Sequence, residues 1–335
     1  MQAYEIRDAF SIDALALSTR PEPKPGPGQV VVKTRAVSLN YRDLLVVKGD
    51  YSRKLPLPMT PCSDCAGEVA AVGEGVTRVK RGDRVAGLFM QTWIDGPLTE
   101  SKAKSAMGGA IGGVLADTVV LSQDGVVPLP AHLSYEEGAT LPCAAVTAWH
   151  ALITEGGLQP GNTVVTLGSG GVSLFAIQFA TITGAKVIAT SSNDEKLARL
   201  RALGTAEGIN YQTTPDWDKR VREITGTGAD HIVEVGGATT LLKSFKAVRM
   251  NGTISLIGNL GGNAEVNPVM LLMKNVRLQG IFVGSREMFE AMNRVIAEHK
   301  LRPVIDRVFP FDQAREAMRH MERGAHFGKV VIKVA

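Results

Sequence analysis

The chain has 335 residues, 44% hydrophobic and 21% charged, and its 37 lysines and arginines against 33 acids leave a net charge of +4. Such proportions describe a globular chain with a substantial core and exclude a disordered or coiled-coil protein, and the length suggests about two domains. The basic excess is not gathered into a stripe: the densest stretch, 78–84, spaces its charges with Val, Gly and Asp, so no nucleic-acid partner is expected. Three cysteines, Cys62, Cys65 and Cys143, are too few for a disulfide framework. The first residues lack a basic segment leading into an apolar run, and no stretch approaches the roughly 18 uninterrupted apolar residues of a membrane span. Neither a secretory signal nor a membrane partner is expected, and the expected location is the cytoplasm.

To about Val127 the chain reads as β-rich. Short runs at 29–38, 67–72 and 84–88 are separated by Pro and Gly, and Pro21, Pro23, Pro25 and Pro27 mark a rigid early connection. Gly73, Gly75 and Gly82 are expected at turns that need backbone freedom. From about Gln159 strands alternate with amphipathic helices. The strand at 163–167 feeds a helix with Val172, Phe175, Ala176, Phe179 and Ala180 on one face. The next strand, 186–190, precedes a helix opened by Asn193 and acids and closed by Gly204. Further strands follow at 207–211, 231–235, 253–257 and 277–283, with helical patterns between the first four. This alternation predicts an α/β, doubly wound parallel sheet. From about Arg286, two helical segments and a terminal strand at 329–334 either extend that domain or return to the first one, and periodicity does not decide between them.

The turn after 163–167 reads Gly168-Ser-Gly170-Gly171-Val172-Ser173. Gly168 suits a tight bend, and Gly170 suits the close approach of backbone to a pyrophosphate at a helix N-terminus. The third position, usually Gly or Ala, holds Ser173, so the match is incomplete and an ordinary Gly-rich turn is the alternative. At the end of the second strand a carboxylate would bind the ribose of NAD and repel a 2′-phosphate. Here stand Thr190, Ser191, Ser192 and Asn193, with Lys196 one turn later. Two hydroxyls and an ammonium suit a phosphate and favour NADP, while helix capping explains Ser191 to Asn193 equally well.

Taken in order, the β-rich first part, Ala66-Gly-Glu-Val, Leu141-Pro-Cys-Ala-Ala-Val-Thr147-Ala-Trp149, the glycine turn and the closing His326-Phe-Gly-Lys-Val-Val-Ile resemble the medium-chain dehydrogenase/reductase superfamily from end to end. Asn40-Tyr41-Arg42-Asp43, followed by Lys48-Gly49-Asp50-Tyr51, is most similar to its zinc-free, quinone-oxidoreductase-like members of the zinc-type alcohol dehydrogenase group. The resemblance implies a GroES-like β-barrel catalytic domain, residues 1–127 and 286–335, and a Rossmann NADP-binding domain, 128–285, with the active site between them. It implies that Asn40, Tyr41 and Thr147 lie near the nicotinamide, with Tyr51 a second candidate proton donor. Gly168, Gly170, Gly171 and Val172 would meet the pyrophosphate, and Ser191, Ser192, Lys196 and Tyr211 the 2′-phosphate. Val235, Gly258, Phe282, Val283, Phe327, Gly328 and Lys329 would line the rest of the cofactor channel. A homodimer through edge strands of the Rossmann sheet is implied at 277–283.

Zinc-dependent members hold their catalytic metal with a Cys, a His and a second Cys, and those places hold Asn40, Ser63 and Cys143 here. One thiolate does not make a site that needs three protein ligands, so no metal is expected. Cys62-Ser-Asp-Cys65 keeps the spacing of half a zinc site or a redox pair, but two reduced structural thiols are the simpler reading. Without a Lewis acid, hydride addition to a conjugated C=C demands less than alcohol oxidation, because hydrogen-bond donors can hold the developing enolate. The expected activity is NADPH-dependent reduction of an α,β-unsaturated carbonyl or quinone. A metal-independent alcohol or carbonyl dehydrogenase and a non-catalytic NADPH-binding protein are the alternatives. The stretch 89–98, with Trp93, is either a cleft wall or plain packing.

Overall fold

The structure is a computed structural model that describes residues 1–262 and 265–334. Ala335, the last residue of the expected catalytic domain, lies outside the described residues. Two compact units form, one from Met1–Val146 with the segment beginning at Val283, the other from Thr147–Phe282.

In the first unit a mostly antiparallel sheet runs in the order Ile305–Pro310, Lys329–Lys333, Gln29–Ser38, Asp64–Val72, Arg84–Gly87, Val126–Pro128, and Thr118–Ser122 also pairs with Gln29–Ser38. Its GroES-like core gathers Val30, Val32, Val37, Val69, Val85 and Leu121 from alternate strand positions. The chain end thus returns to the first unit, which decides the open question about 329–334. Ile305–Pro310, which no sequence pattern announced, lies parallel beside it. The expected boundary at 127/128 is corrected to 146/147. Val126–Pro128 pairs with Arg84–Gly87, and the short helix Tyr135–Gly138 packs on the central strands, so 128–146 stays with the β-rich part. At the other end the boundary moves to 282/283, because buried Val283 packs with Phe89, Met90, Trp93 and Ala106. Trp93 is therefore core, its indole N–H bonded to Gly96 O at 2.9 Å.

The second unit is a six-stranded parallel sheet in the order Glu207–Asn210, Lys186–Ser191, Thr163–Leu167, Ala229–Glu234, Val248–Leu256, Arg277–Gly280. The strand order reverses between Thr163–Leu167 and Ala229–Glu234, the Rossmann arrangement in which ligands bind beyond the carboxyl ends. Helix Gly171–Thr183 buries Leu174, Phe175, Ala176, Ile177, Phe179 and Ala180, more than one face, as a helix laid against such a sheet must. Asn193 caps helix Asp194–Ala202, and Gly204 follows its end with φ +99°, as the sequence predicts. Among the described residues no helix is long and apolar enough to cross a membrane.

Gly75 and Gly82 do occupy left-handed φ, +74° and +91°, but Gly73 does not. Its requirement is space, since a Cβ there would stand 1.9 Å from Gly26 O. Gly67 is constrained in the same way. A Cβ would meet Lys33 O at 2.2 Å, backbone that is fixed in the ladder between the two central strands. Gly67→Ala is expected to lower the unfolding free energy by roughly 2–3 kcal/mol in chemical denaturation. Gly112→Ala, where a Cβ meets nothing within 4 Å, is expected to stay within about 0.5 kcal/mol of wild type. Equal effects of the two substitutions would contradict the packing described.

Candidate active site

The register of the first sheet builds the centre of the site. Val331 pairs with Ser38 and Ile332 with Val37, so the same antiparallel count sets Lys329 across from Asn40. Leu39 N donates to Val330 O at 2.9 Å and holds the strands together one step before they part. At the parting Lys329 Nζ donates to Leu39 O at 2.6 Å and to Asn40 Oδ1 at 2.5 Å. Asn40 is also the N-cap of helix Tyr41–Lys48, where its backbone N–H donates to Asp43 Oδ2 at 2.8 Å. A left-handed Gly49 closes this helix.

Two buried carboxylates flank that ammonium. Burial raises the Asp43 carboxyl to about 6, against the pull of Arg42, and the charge of Asp64 adds to the rise. Asp64 is raised by burial too, opposed by Lys329 and by the Ser63 hydroxyl, which donates to Oδ1 at 2.7 Å. Its Oδ2 accepts from Cys143 N at 3.0 Å. Asn40, Ser63 and Cys143, far apart in sequence, thus come together around Asp64 and Lys329. Neither Asp43 nor Asp64 was named as a site residue from sequence. The available signal was an acid directly after Ser63, at the head of a strand whose neighbours are buried.

Tyr41 and Tyr51 are both exposed, and the Arg42 guanidinium lies over the rings of Tyr51 and Phe89, 5.2 and 4.6 Å from their centroids. Arg42 Nη1 donates to Met107 O at 2.9 Å, so Tyr51 is held near the start of the helix that Tyr41 opens. Of the other residues expected in the cofactor channel, Val283, Phe327, Gly328 and Lys329 belong to the first unit. Phe327 N is fixed by Asp306 Oδ1 at 2.9 Å.

The second unit carries the dinucleotide half. Gly168 has φ +72°, and a Cβ at Gly168 or Gly170 would meet nothing within 4 Å, so the turn faces open space. Gly170 caps helix Gly171–Thr183 with no side chain, leaving the first N–H groups directed at that space. The incomplete glycine pattern has a local reason: Ser173 Oγ donates to Leu167 O at 2.7 Å, tying the helix to the strand before it. Ser191 and Tyr211 adjoin, with Tyr211 N donating to Ser191 O at 3.0 Å. Ser192 and Lys196 follow Ser191 at the same tip, where Asn193 Oδ1 accepts from Lys196 N at 2.8 Å, so capping is realised there. The nearest acid, Asp194, is turned aside to Asn210 Nδ2 at 2.9 Å. Val235 and Gly258 approach so closely that a Cβ on Gly258 would lie 2.6 Å from Val235 O. Buried Glu234 fixes the loop after Val235 through the N–H groups of Gly236 and Gly237, at 2.8 and 3.0 Å. Thr147 is buried at the start of this unit, between two π-helical turns, and Phe282 is exposed at its end. The turn fits a dinucleotide pyrophosphate on these grounds.

Zinc fits the first unit poorly. Among the described residues no three His, Cys, Asp or Glu side chains converge so as to hold a metal ion, and at Asn40, one of the positions concerned, the side-chain oxygen is taken by an ammonium. All three cysteines are free, and burial pushes the Cys65 thiol up to about 12 and those of Cys62 and Cys143 well above their ordinary value. Neutral thiols are neither nucleophiles nor ready ligands.

The raised Asp43 has a consequence for stability. Its proton is held more tightly in the folded chain than in the unfolded one, so the native state loses stability as pH rises from about 4 to about 6, and the loss is complete above that. Asn keeps an acceptor for Asn40 N–H and carries no charge. Asp43→Asn is expected to gain on wild type across that interval, reaching the order of 3 kcal/mol above pH 6 and staying level beyond. Unfolding curves from pH 4 to 8 check this, and a difference that is flat or reversed across the interval contradicts the assignment.

Two family models match: the alcohol dehydrogenase GroES-like domain over residues 26–131 and the zinc-binding dehydrogenase domain over 171–298. A zinc-type alcohol dehydrogenase-like protein of Schizosaccharomyces pombe is 44% identical over 93% of this chain and 92% of its own. A crystal structure of an NAD-dependent alcohol dehydrogenase, 35% identical, superposes with a TM-score of 0.92 over 100% of both chains. The 2-octenoyl-CoA carboxylase reductase CinF, solved with NADP and 2-octenoyl-CoA, is 27% identical, with a TM-score of 0.88 over 99% of this chain and 87% of its own. The chain belongs to the medium-chain dehydrogenase/reductase superfamily of oxidoreductases, with zinc-type alcohol dehydrogenase-like and quinone oxidoreductase-like proteins among its relatives.

Proposed function

We propose that this oxidoreductase reduces an α,β-unsaturated carbonyl or a quinone with NADPH and without zinc, as a cytoplasmic homodimer joined along the outer edge of Arg277–Gly280. The observation that carries the reading is the content of the would-be metal site: an amide held by the ammonium of Lys329, with a hydroxyl and a single neutral thiol where ligands would stand. Such a set donates hydrogen bonds, and a conjugated carbonyl is the substrate that donors alone can activate. The CinF complex supports the class, since it pairs NADP with an enoyl thioester. Because the 35% identical structure is described as NAD-dependent, cofactor choice rests on this chain's own residues. Ser191, Ser192 and Lys196 stand where an acid would select NAD, and Asp194 is engaged elsewhere.

The reduced nicotinamide supplies a hydride. Gly168, Gly170, Gly171 and Val172 would hold the pyrophosphate, and Ser191, Ser192, Lys196 and Tyr211 the 2′-phosphate. In the second unit Thr147, Val235, Gly258 and Phe282 would hold the rest of the cofactor, and in the first unit Val283, Phe327, Gly328 and Lys329 would do so. Asn40 Nδ2 would donate to the substrate carbonyl oxygen, where negative charge collects when the β-carbon accepts hydride and the C=C electron pair moves through the conjugated system. The enolate then takes a proton at the α-carbon, from the hydroxyl of Tyr41 or Tyr51 or through water, and the saturated ketone leaves.

Lys196→Ala is expected to weaken NADPH binding about 10-fold or more while leaving NADH unchanged, as read from dissociation constants of both. Equal loss for both, or tighter NADH binding by the wild type, contradicts the cofactor assignment. Turnover of 2-cyclohexen-1-one should yield cyclohexanone, not the allylic alcohol, and Asn40→Ala should slow it on the order of 100-fold with NADPH affinity kept. Tyr41→Phe, which removes only a hydroxyl, separates proton donation from ring packing: a rate near wild type leaves Tyr51 or water as the donor.

A further inference from the structure

The resemblance implies that Lys329 lines the cofactor channel, and in the structure its side chain is buried within the first unit. Both of its hydrogen bonds go to neighbours across the strand register, Leu39 O and Asn40 Oδ1. An ammonium has donors only, so the end of the Asn40 amide that it meets must be the oxygen. That contact decides which way round the amide stands and sends Nδ2 to the other side. Asn40 is nine-tenths buried, and its Nδ2 lies toward Asp64 but makes no hydrogen bond of ordinary geometry. The Asp64 oxygens already accept from Ser63 Oγ and Cys143 N. Nδ2 carries two N–H donors, of which one is directed toward Asp64, and a ligand carbonyl would complete the other.

We infer that Lys329 is a positioning residue that locks the Asn40 amide with Nδ2 toward the substrate carbonyl. The inference rests on the proposed enone or quinone reduction and adds the group that orients its donor. Without the ammonium the Oδ1 side loses its donor and only the Asp64 carboxylate still favours this orientation, so the amide is held less firmly and its N–H groups are aimed less precisely at a developing enolate oxygen. With it, positive charge behind Oδ1 also polarises the Nδ2–H bonds and strengthens them as donors.

The test combines a spectrum with kinetics. In ¹⁵N-labelled wild type the Asn40 side-chain signals, identified by their loss in Asn40→Ala, should shift when 2-cyclohexen-1-one is added with NADP⁺, which cannot reduce it. In Lys329→Met the same signals should be displaced before any ligand is added. With NADPH, Lys329→Met should lower kcat for cyclohexenone about 100-fold while changing the NADPH dissociation constant less than about 3-fold, and Lys329→Arg should restore most of the rate. The double variant Lys329→Met/Asn40→Ala should be no slower than Asn40→Ala alone, because one residue acts through the other. Additive losses, a weakened NADPH constant that accounts for the rate, or an Asn40 signal indifferent to both Lys329→Met and cyclohexenone would overturn the inference. The wild-type shift needs no variant at Lys329 to fold. If wild type reduces no enone or quinone while the Lys329→Met spectrum still moves, the proposed reaction fails and the locking of Asn40 stands.

Discussion

A cation buried beside an amide, with two carboxylates near it, is the constraint around which the first unit is organised. Lys329 reaches Asn40 only because the last strand pairs with Gln29–Ser38 in a single register, and a shift of one residue would turn its side chain to the other face. The charge then needs company. Asp64 and Asp43 are fully buried, and each has its ionised form favoured by Lys329. Removing the ammonium would leave Asp64 and ionised Asp43 uncompensated in low dielectric, so the register that delivers Lys329 and the charge balance stand or fall together.

That arrangement gives the proposed chemistry its character. A metal at these positions would act as a Lewis acid on any oxygen that reached it. An ammonium already committed to two carbonyl oxygens acts at one remove, through the amide it holds, and offers a directed hydrogen bond rather than an open coordination position. Such a donor is enough for charge spread over a conjugated carbonyl and weak help for a saturated alcohol that must lose a proton. The second unit contributes independently, with helix N–H groups above Gly170 that no side chain caps, and in the proposed function these meet the pyrophosphate while the hydroxyls and ammonium at 191–196 meet a phosphate.

Much of this was legible in the residues because it is local. Gly168 and Gly170 report a turn, Asn193 and Gly204 bracket a helix, and alternation of apolar runs with helical periods reports a parallel sheet. What escaped is long-range or sterically indirect. The Lys329–Asn40 contact spans 289 positions, and nothing in the local composition of His326-Phe-Gly-Lys marks the side chain as turned inward. Helix Tyr41–Lys48 is short, and its cap is also a candidate donor, so its sequence reads equally as a catalytic motif. At Gly73 a turn-forming composition suggests conformational freedom, but the requirement is space beside the backbone of Gly26. β-rich composition ends near Val127, whereas pairing of Val126–Pro128 with Arg84–Gly87 keeps the first unit continuous to Val146.

If an ammonium-held amide does here what a metal would otherwise do, metal content and turnover are independent of one another. Purified enzyme reducing an enone with NADPH should contain far less than one zinc per chain and keep its full rate after exhaustive chelation. One zinc per chain, whose removal abolishes turnover and whose return restores it, would contradict that claim.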